Sequence, residues 1–179
     1  FTFYIGSLRN REIVLAESGI GKVNAAMLAT IMIVKFNVKA VCFSGVAGAL
    51  DSKLKVGDVV IGEKMLQHDM DVREFGLKKG EIPRMDTSVF LSNDRLMEIV
   101  KEYKLSNNKI YSGTIISGDQ FISLKQAKQE LAAEFNAMCV DMESAAGAQV
   151  CHRLDKKCLV IRSISESVTD DSTMEYSQF

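Results

Sequence analysis

Two short segments carry residues whose types and spacing could do chemistry. Residues 140–143 (VDME) close an apolar run and open a small-residue helix. The carboxylate of Glu143 could accept two hydrogen bonds from a sugar diol, and the thioether of Met142 could pack on the apolar sugar face. Residues 160–166 (VIRSISE) form a second β-rich run that ends in polar groups and an acid. Because ligands bind beyond the strand ends of open α/β sheets, the two segments predict one site.

Each of these residues has a less specific interpretation. An acid at a helix start, such as Glu143, is more often a cap or a partner of the helix dipole. Phe121 follows a Gly-Asp pair at a strand end, where an aromatic ring is more often part of the core. Glu166 could be a solvated loop acid. The motifs therefore have to be weighed together.

The elements that must position these residues alternate between strands and helices, which predicts a sheet covered on both faces. We expect strands at residues 12–16, 38–44, 58–63, 110–116 and 158–164. We expect helices at residues 23–36, 93–103 and 144–151, and one more after a capping-box spacing of Ser123 and Gln126. Residues 66–84 are polar and contain glycine, which predicts a loop.

Composition limits the class of protein. The chain has 179 residues, of which 47% are hydrophobic, so it can bury a core as one domain. Its net charge is −1 and no basic face stands out, which argues against a nucleic-acid partner. The longest apolar run, residues 25–34, is too short to span a bilayer, so we expect no membrane partner.

The cysteines and histidines predict neither disulfides nor a metal site. The four cysteines form no C-x-x-C pair and lie in apolar surroundings, which favours buried free thiols in a reducing compartment, and hence a cytoplasmic protein. His68 and His152 lack metal-ligand spacing, and we expect His152 to be structural.

Two glycine-containing segments, residues 19–21 and 44–48, predict tight strand-to-helix turns. The first lacks the third glycine of a dinucleotide fingerprint, and Lys22 is not followed by Ser or Thr as in a phosphate loop. We therefore expect no cofactor. Plain turns are the simpler interpretation. The alternative is that Gly45, Ala47 and Gly48 let the backbone approach a ribose and an attacking water.

Taken together, seven ordered segments resemble the nucleoside phosphorylase/nucleosidase superfamily, and most closely its 5′-methylthioadenosine/S-adenosylhomocysteine nucleosidase family. They are residues 19–26, 44–48, 54–60, 68–71, 117–121, 140–143 and 160–166. The resemblance implies an α/β fold, a three-layer α/β/α arrangement with a mixed central sheet, as a single domain over residues 1–179. The family's N-terminal strand, which carries a catalytic glutamate, and its C-terminal helix are expected to have no counterpart in this sequence. Glu12 and Glu17 do not match that glutamate's position.

The resemblance also implies roles for individual residues. Phe121 would stack on a purine whose edge the backbone of Ile122 reads, Met142 would lie against the ribose, and Glu143 would bind its hydroxyls. Arg162 would orient a carboxylate rather than contact substrate. The full set of expected substrate-binding residues is Ile20, Val46, Ala47, Gly48, Phe121, Ile122, Met142, Glu143, Arg162, Ser165 and Tyr176.

The expected chemistry is cleavage of an N-glycosidic bond. Protonation makes the purine a better leaving group, and the resemblance places the acid at Glu166, where the family has an aspartate. Glutamate is one methylene longer, so we expect Glu166→Asp to raise turnover; Asp170 is the less favoured candidate for the acid. The resemblance further implies a homodimer formed through residues 68–77, with Val72 and Phe75 closing the partner's pocket.

Two alternatives stay open at this point. A purine nucleoside phosphorylase shares the Met-Glu sugar motif but needs a cationic phosphate pocket, and residues 44–50 contain no arginine. A catalytically weakened homologue that binds nucleosides is the other.

Overall fold

The computed structural model describes residues 1–168. Its strands are β1 (Phe3–Leu8), β2 (Arg11–Ala16), β3 (Ala40–Ala49), β4 (Val59–Gln67), β5 (Phe90–Leu91), β6 (Ile110–Ser117), β7 (Cys139–Asp141) and β8 (Lys157–Glu166). Its helices are α1 (Lys22–Phe36), α2 (Asp94–Lys101), α3 (Lys125–Phe135) and α4 (Ser144–Arg153), with a 3-10 turn at Arg73–Phe75.

Six strands form a mixed sheet in the order β5-β4-β6-β7-β3-β8. Strands β4, β6 and β7 are mutually parallel, as are β3 and β8, whereas β3 pairs antiparallel with β7. An additional antiparallel pairing joins β4 to β8, so the sheet curls until these two strands meet. Strands β1 and β2 form a separate hairpin, of which the sequence predicted only the second strand.

Successive residues of a strand face opposite sides of the sheet, and this alternation sorts the core into layers. Val60 and Val160 belong to a cluster that includes small residues of α1 and α4. Their neighbours Ile61 and Leu159 pack with Met97 of α2. On the same principle, residues of β6 and β7 pack with α3 in a third cluster, which contains Ile116, Val140 and Leu131. Helices therefore cover both faces, and the predicted three-layer α/β fold is confirmed.

The second glycine-containing segment is a strand, and its prediction as a turn was wrong. β3 runs through Gly45 and Gly48 to Ala49, because its backbone pairs with β8 as far as Gly48 and with β7 at Gly48 and Ala49. The register shifts between Ala47 and Gly48, which brings Gly48 opposite Glu166. The first segment is a turn, with positive φ angles at Gly19 (73°) and Gly21 (96°).

Two smaller predictions were also wrong. α3 begins at Lys125 with Leu124 at its N-cap and no side-chain capping bond, so the capping box of Ser123 and Gln126 does not form. Cys42 is exposed rather than buried, although the other three cysteines are buried free thiols. No helix within residues 1–168 is long and apolar enough to cross a membrane.

Candidate functional site

A single cavity of about 480 Å³ collects the residues that the sequence analysis singled out. Its wall includes all of the expected substrate-binding residues except Tyr176, which lies outside the described residues, as does Asp170. Glu166 is also in the wall. These residues come from the glycine turn after β2, the ends of β3 and β8, and the segments that follow β6 and β7, and the fold brings them together. Their individual roles are not decided by their position alone.

Glu143 occupies the N-cap position of α4 but makes no side-chain capping bond. Its Oε1 instead accepts a hydrogen bond of 2.9 Å from the backbone N–H of Gly21, and its Oε2 lies 3.5 Å from Nη2 of Arg162. The capping interpretation is therefore wrong for this side chain, and one carboxylate is held at the junction of the first glycine turn and α4. Such a carboxylate retains lone pairs for a diol.

The capping role falls to Asp141, which the sequence analysis did not single out. Its Oδ1 accepts hydrogen bonds from the backbone N–H groups of Glu143 (3.2 Å) and Ser144 (3.1 Å), and from the hydroxyl of Ser117. Nε of Arg162 lies 2.7 Å from Oδ2 of Asp141 and donates to the Ser144 hydroxyl at 2.9 Å. The buried guanidinium thus orients carboxylates. The position of Asp141 in the VDME segment was the sequence signal that could have indicated this role.

Burial is the main influence on the ionisation of Glu143. Removal of this carboxyl from water raises its pKa above the ordinary value, and the nearby charge of Asp141 raises it further. The Gly21 N–H group and Arg162 act in the opposite direction, because they stabilise the ionised form. Because the net pKa of Glu143 is raised, the effect of burial on it is larger than the opposing effect of Gly21 and Arg162.

Phe121 and Ile20 form the mouth of the cavity. Their side chains are 68% and 64% exposed, so Phe121 is not a core residue, and its apolar surface is free to stack on a planar ligand. A polar network holds the Phe121 segment against α1. Nζ of Lys22 lies 2.7 Å from Asp69, and the backbone N–H of Asp119 donates to the same carboxylate at 2.9 Å. This network joins the segment that carries Ile20 to the segment that carries Phe121.

Glu166 lies at the end of β8, where its carboxylate is held by a residue that the sequence analysis missed. Oε1 is 3.2 Å from Nζ of Lys128 in α3, and the two side chains are only 11% and 2% exposed. Across the register shift, a Cβ atom on Gly48 would lie 2.6 Å from the same oxygen. Glu166 is therefore not a solvated loop acid. A lysine inside an amphipathic helix gave no sequence signal for this contact.

The cavity also has walls that were not predicted. An apolar side is formed by residues of α1 and β3, namely Leu28, Ala29, Met32, Val41, Cys42 and Phe43. Glu17 lines the cavity as well, at the end of β2. No group of three or more His, Cys, Asp or Glu side chains in residues 1–168 is arranged to hold a metal ion.

Val72 and Phe75 do not line this cavity within the chain. They lie at the 3-10 turn, where Phe75 is 81% exposed and Val72 is half-buried. Their expected role in a partner's pocket therefore stays a prediction.

The fold and site together describe an α/β protein with a cavity lined by carboxylates at the ends of its strands. Comparison with known proteins gives the family. The family model of the phosphorylase superfamily matches residues 1–179, and the chain belongs to that superfamily. The 5′-methylthioadenosine/S-adenosylhomocysteine nucleosidase of Staphylococcus haemolyticus is 40% identical over 181 residues, which cover 99% of this chain and 78% of that protein.

Solved structures agree with this assignment. The futalosine hydrolase of Helicobacter pylori strain 26695 has a TM-score of 0.90 and 36% identity, covering 99% of this chain and 76% of that one. A mutant of the Helicobacter pylori 5′-methylthioadenosine nucleosidase, with 5′-methylthioadenosine in its active site, has a TM-score of 0.86 and 38% identity. The alignment covers 94% of this chain and 73% of that one. The resemblance inferred from the motifs is confirmed.

Proposed function

We propose that this protein hydrolyses the N-glycosidic bond of 5′-methylthioadenosine and S-adenosylhomocysteine and releases adenine. The observation that carries the proposal is the presence of two carboxylates, Glu143 and Glu166, in one cavity with an exposed aromatic ring, Phe121, at its mouth. One acid suits a ribose diol and the other a purine leaving group. The nucleosidases similar to this chain act on the same two nucleosides according to their names.

The proposed reaction begins with the nucleoside clamped at both ends. Glu143 accepts hydrogen bonds from the 2′- and 3′-hydroxyls, Met142 packs on the sugar, and Phe121 stacks on the purine while the backbone of Ile122 reads its edge. Val46, Ala47 and Gly48 allow the β3 backbone to approach the ribose. Ile20 lines the alkylthio side, and Ser165, whose hydroxyl donates to the Ala47 carbonyl at 3.4 Å, supports this wall.

Bond cleavage needs a proton on the leaving purine. Glu166 in its acid form donates that proton to N7 as the C1′–N9 bond breaks, and the bonding electron pair leaves with the adenine. Water then adds its oxygen to C1′ of the oxocarbenium-like sugar and releases a proton to the solvent. Glu166 lies beside the Gly48 backbone in the cavity wall, which supports its role as the acid.

Hydrolysis is favoured over phosphorolysis by the charges of the cavity. Among its described lining residues, Arg162 is the only arginine, and no lysine is present. The Arg162 guanidinium is already held by Asp141 and Glu143, so it offers no free cationic site for phosphate.

An assay for released adenine tests the proposal. The full-length protein should release adenine from both nucleosides in phosphate-free buffer, and added phosphate should not speed the release. Glu166→Gln should abolish most turnover and leave inhibitor binding largely intact, because the lost step is proton donation. A phosphate requirement would indicate a phosphorylase, and nucleoside binding without adenine release would indicate a binding homologue. Because a futalosine hydrolase is a structural neighbour, futalosine belongs in the same substrate panel.

We also propose that the active form is a cytoplasmic homodimer. The exposed Phe75 and the neighbouring Val72 support this proposal, because an apolar anchor on a loop is typical of an interface. In such a dimer they would close the alkylthio side of the partner's cavity.

A further inference from the structure

We propose that Lys128 is a positioning residue: its Nζ contacts Oε1 of Glu166 and holds the carboxyl group so that Oε2 carries the proton that goes to the leaving base. The inference rests on the proposed function, in which Glu166 is the acid. It adds a residue of α3 that lies outside the cavity wall and would act only through Glu166.

The burial of Lys128 is the first observation. Its side chain is 2% exposed, and lysine is almost never fully buried unless it is paired. The salt-bridge partner in the described part of the chain is Glu166, with Nζ 3.2 Å from Oε1. A buried ammonium holds its hydrogen-bond acceptor in place, because separation would leave the ammonium without a partner in the protein interior.

The length of the glutamate side chain is the second observation. Glu166 reaches Lys128 with one methylene more than an aspartate has, and an aspartate carboxylate would fall short by about 1.5 Å, roughly one C–C bond. Lys128 therefore accounts physically for a glutamate at the position where the family resemblance implies an aspartate. The two residues form one unit, and their effects on activity should not be independent.

The third observation is the close approach of the Gly48 backbone to the same carboxylate. The carboxylate lies against Gly48, where a Cβ would stand 2.6 Å from Oε1, so the β3 backbone limits its movement on that side. The Gly48 backbone and the Lys128 ammonium together leave Oε1 of Glu166 little freedom. Since a misplacement of about 1 Å can cost on the order of 10²-fold in rate, this restraint would act on the chemical step.

A mutant cycle on the full-length protein tests the proposal. Lys128→Met should lower kcat by about 10-fold or more while KM changes by less than about 2-fold, because the contact governs the chemical step rather than substrate affinity. Lys128→Arg should recover part of the loss by restoring the charge. The double variant Lys128→Met with Glu166→Gln should be no slower than Glu166→Gln alone. The matched control is Lys125→Met, which removes an exposed lysine from the same helix and should leave kcat unchanged.

The variant Glu166→Asp provides an independent test. In contrast to the expectation from the resemblance, Glu166→Asp alone should lower kcat, since the shortened side chain loses its contact with Lys128. Glu166→Asp combined with Lys128→Met should then be no slower than Glu166→Asp alone. A gain in turnover by Glu166→Asp with Lys128 present would overturn the proposal, as would additive losses in the first cycle. Thermal unfolding of the same variants provides a readout that does not depend on activity. If the wild type releases no adenine, the proposed function fails, and additive Tm changes for Lys128→Met and Glu166→Gln would separately overturn the pairing.

Discussion

The backbone N–H of Gly21 donates a 2.9 Å hydrogen bond to Oε1 of Glu143, a residue 122 positions later in the chain. The bond joins the first glycine turn to the start of α4 and aims one carboxylate at the cavity. Gly21 has a φ of 96°, which favours glycine, so the turn that supplies the donor depends on this residue type. The orientation of the carboxylate is therefore fixed jointly by two segments that are distant in sequence.

Glu143→Gln should weaken the binding of ribonucleosides. The amide keeps the shape of the side chain but loses the charge that strengthens hydrogen bonds from hydroxyls. Affinity for a non-hydrolysed nucleoside should fall by about 10-fold or more, which corresponds to about 1.4 kcal/mol. The loss should be smaller for a 2′-deoxy analogue, as measured by calorimetry. Equal losses for both ligands would disprove the contact with the diol.

Ribonucleoside affinity should also depend on pH. Burial holds the pKa of Glu143 above its usual range, so the carboxylate becomes protonated at a higher pH than an ordinary glutamate, whose pKa is about 4.3. Affinity should fall as the pH decreases through this raised value, because the protonated acid accepts hydrogen bonds less well. Folding stability has the opposite pH dependence. Because the pKa of Glu143 is raised in the folded state, this group stabilises the fold below its unfolded-state pKa, and that stabilisation is lost as the pH rises through the folded-state pKa.

The measurement is best made on the Glu166→Gln variant, which should bind without turnover. Binding titrations between about pH 4 and about pH 7 should show a steeper loss for the ribonucleoside than for its 2′-deoxy analogue. A loss of the same size for both would assign the titration to another group.

Gly48→Ala should impair catalysis through Glu166. The added Cβ would lie 2.6 Å from Oε1, so the carboxylate would have to leave its position beside Lys128. We expect kcat to fall by about 10²-fold, given the sensitivity of proton transfer to placement. Gly6→Ala is the matched control, because a Cβ there has no neighbour within 4 Å. An unchanged kcat in Gly48→Ala would show that the position of the carboxylate is not limiting.

Phe75→Ala should weaken the proposed dimer more than it disturbs folding. The ring is 81% exposed in the single chain, so its removal costs little internal packing. Analytical ultracentrifugation at micromolar concentration should show a shift toward monomer, with reduced activity on long-tailed substrates. Tyr103→Ala removes another exposed ring, which is 62% exposed and lies just after α2, and serves as the control. A wild type that is monomeric at this concentration would contradict the dimer.

The sequence by itself determined the fold class and part of the cavity wall. Strand and helix periodicity is local, and the motifs around Phe121, Met142 and Glu143 lie at the ends of elements that any such sheet gathers on one edge. The glycine turn at Gly21 was predictable for the same reason, since its backbone conformation depends on the residue itself.

Tertiary structure alone decided how the charges of the site are paired. Asp141 rather than Glu143 caps α4, Arg162 joins both carboxylates, and Lys128 meets Glu166 from another helix. The strand conformation of residues 44–48 belongs here too, because it depends on pairing with β8. Such contacts join residues far apart in the chain, and their partners are chosen by the register of strands and the packing of helices, which no local pattern encodes.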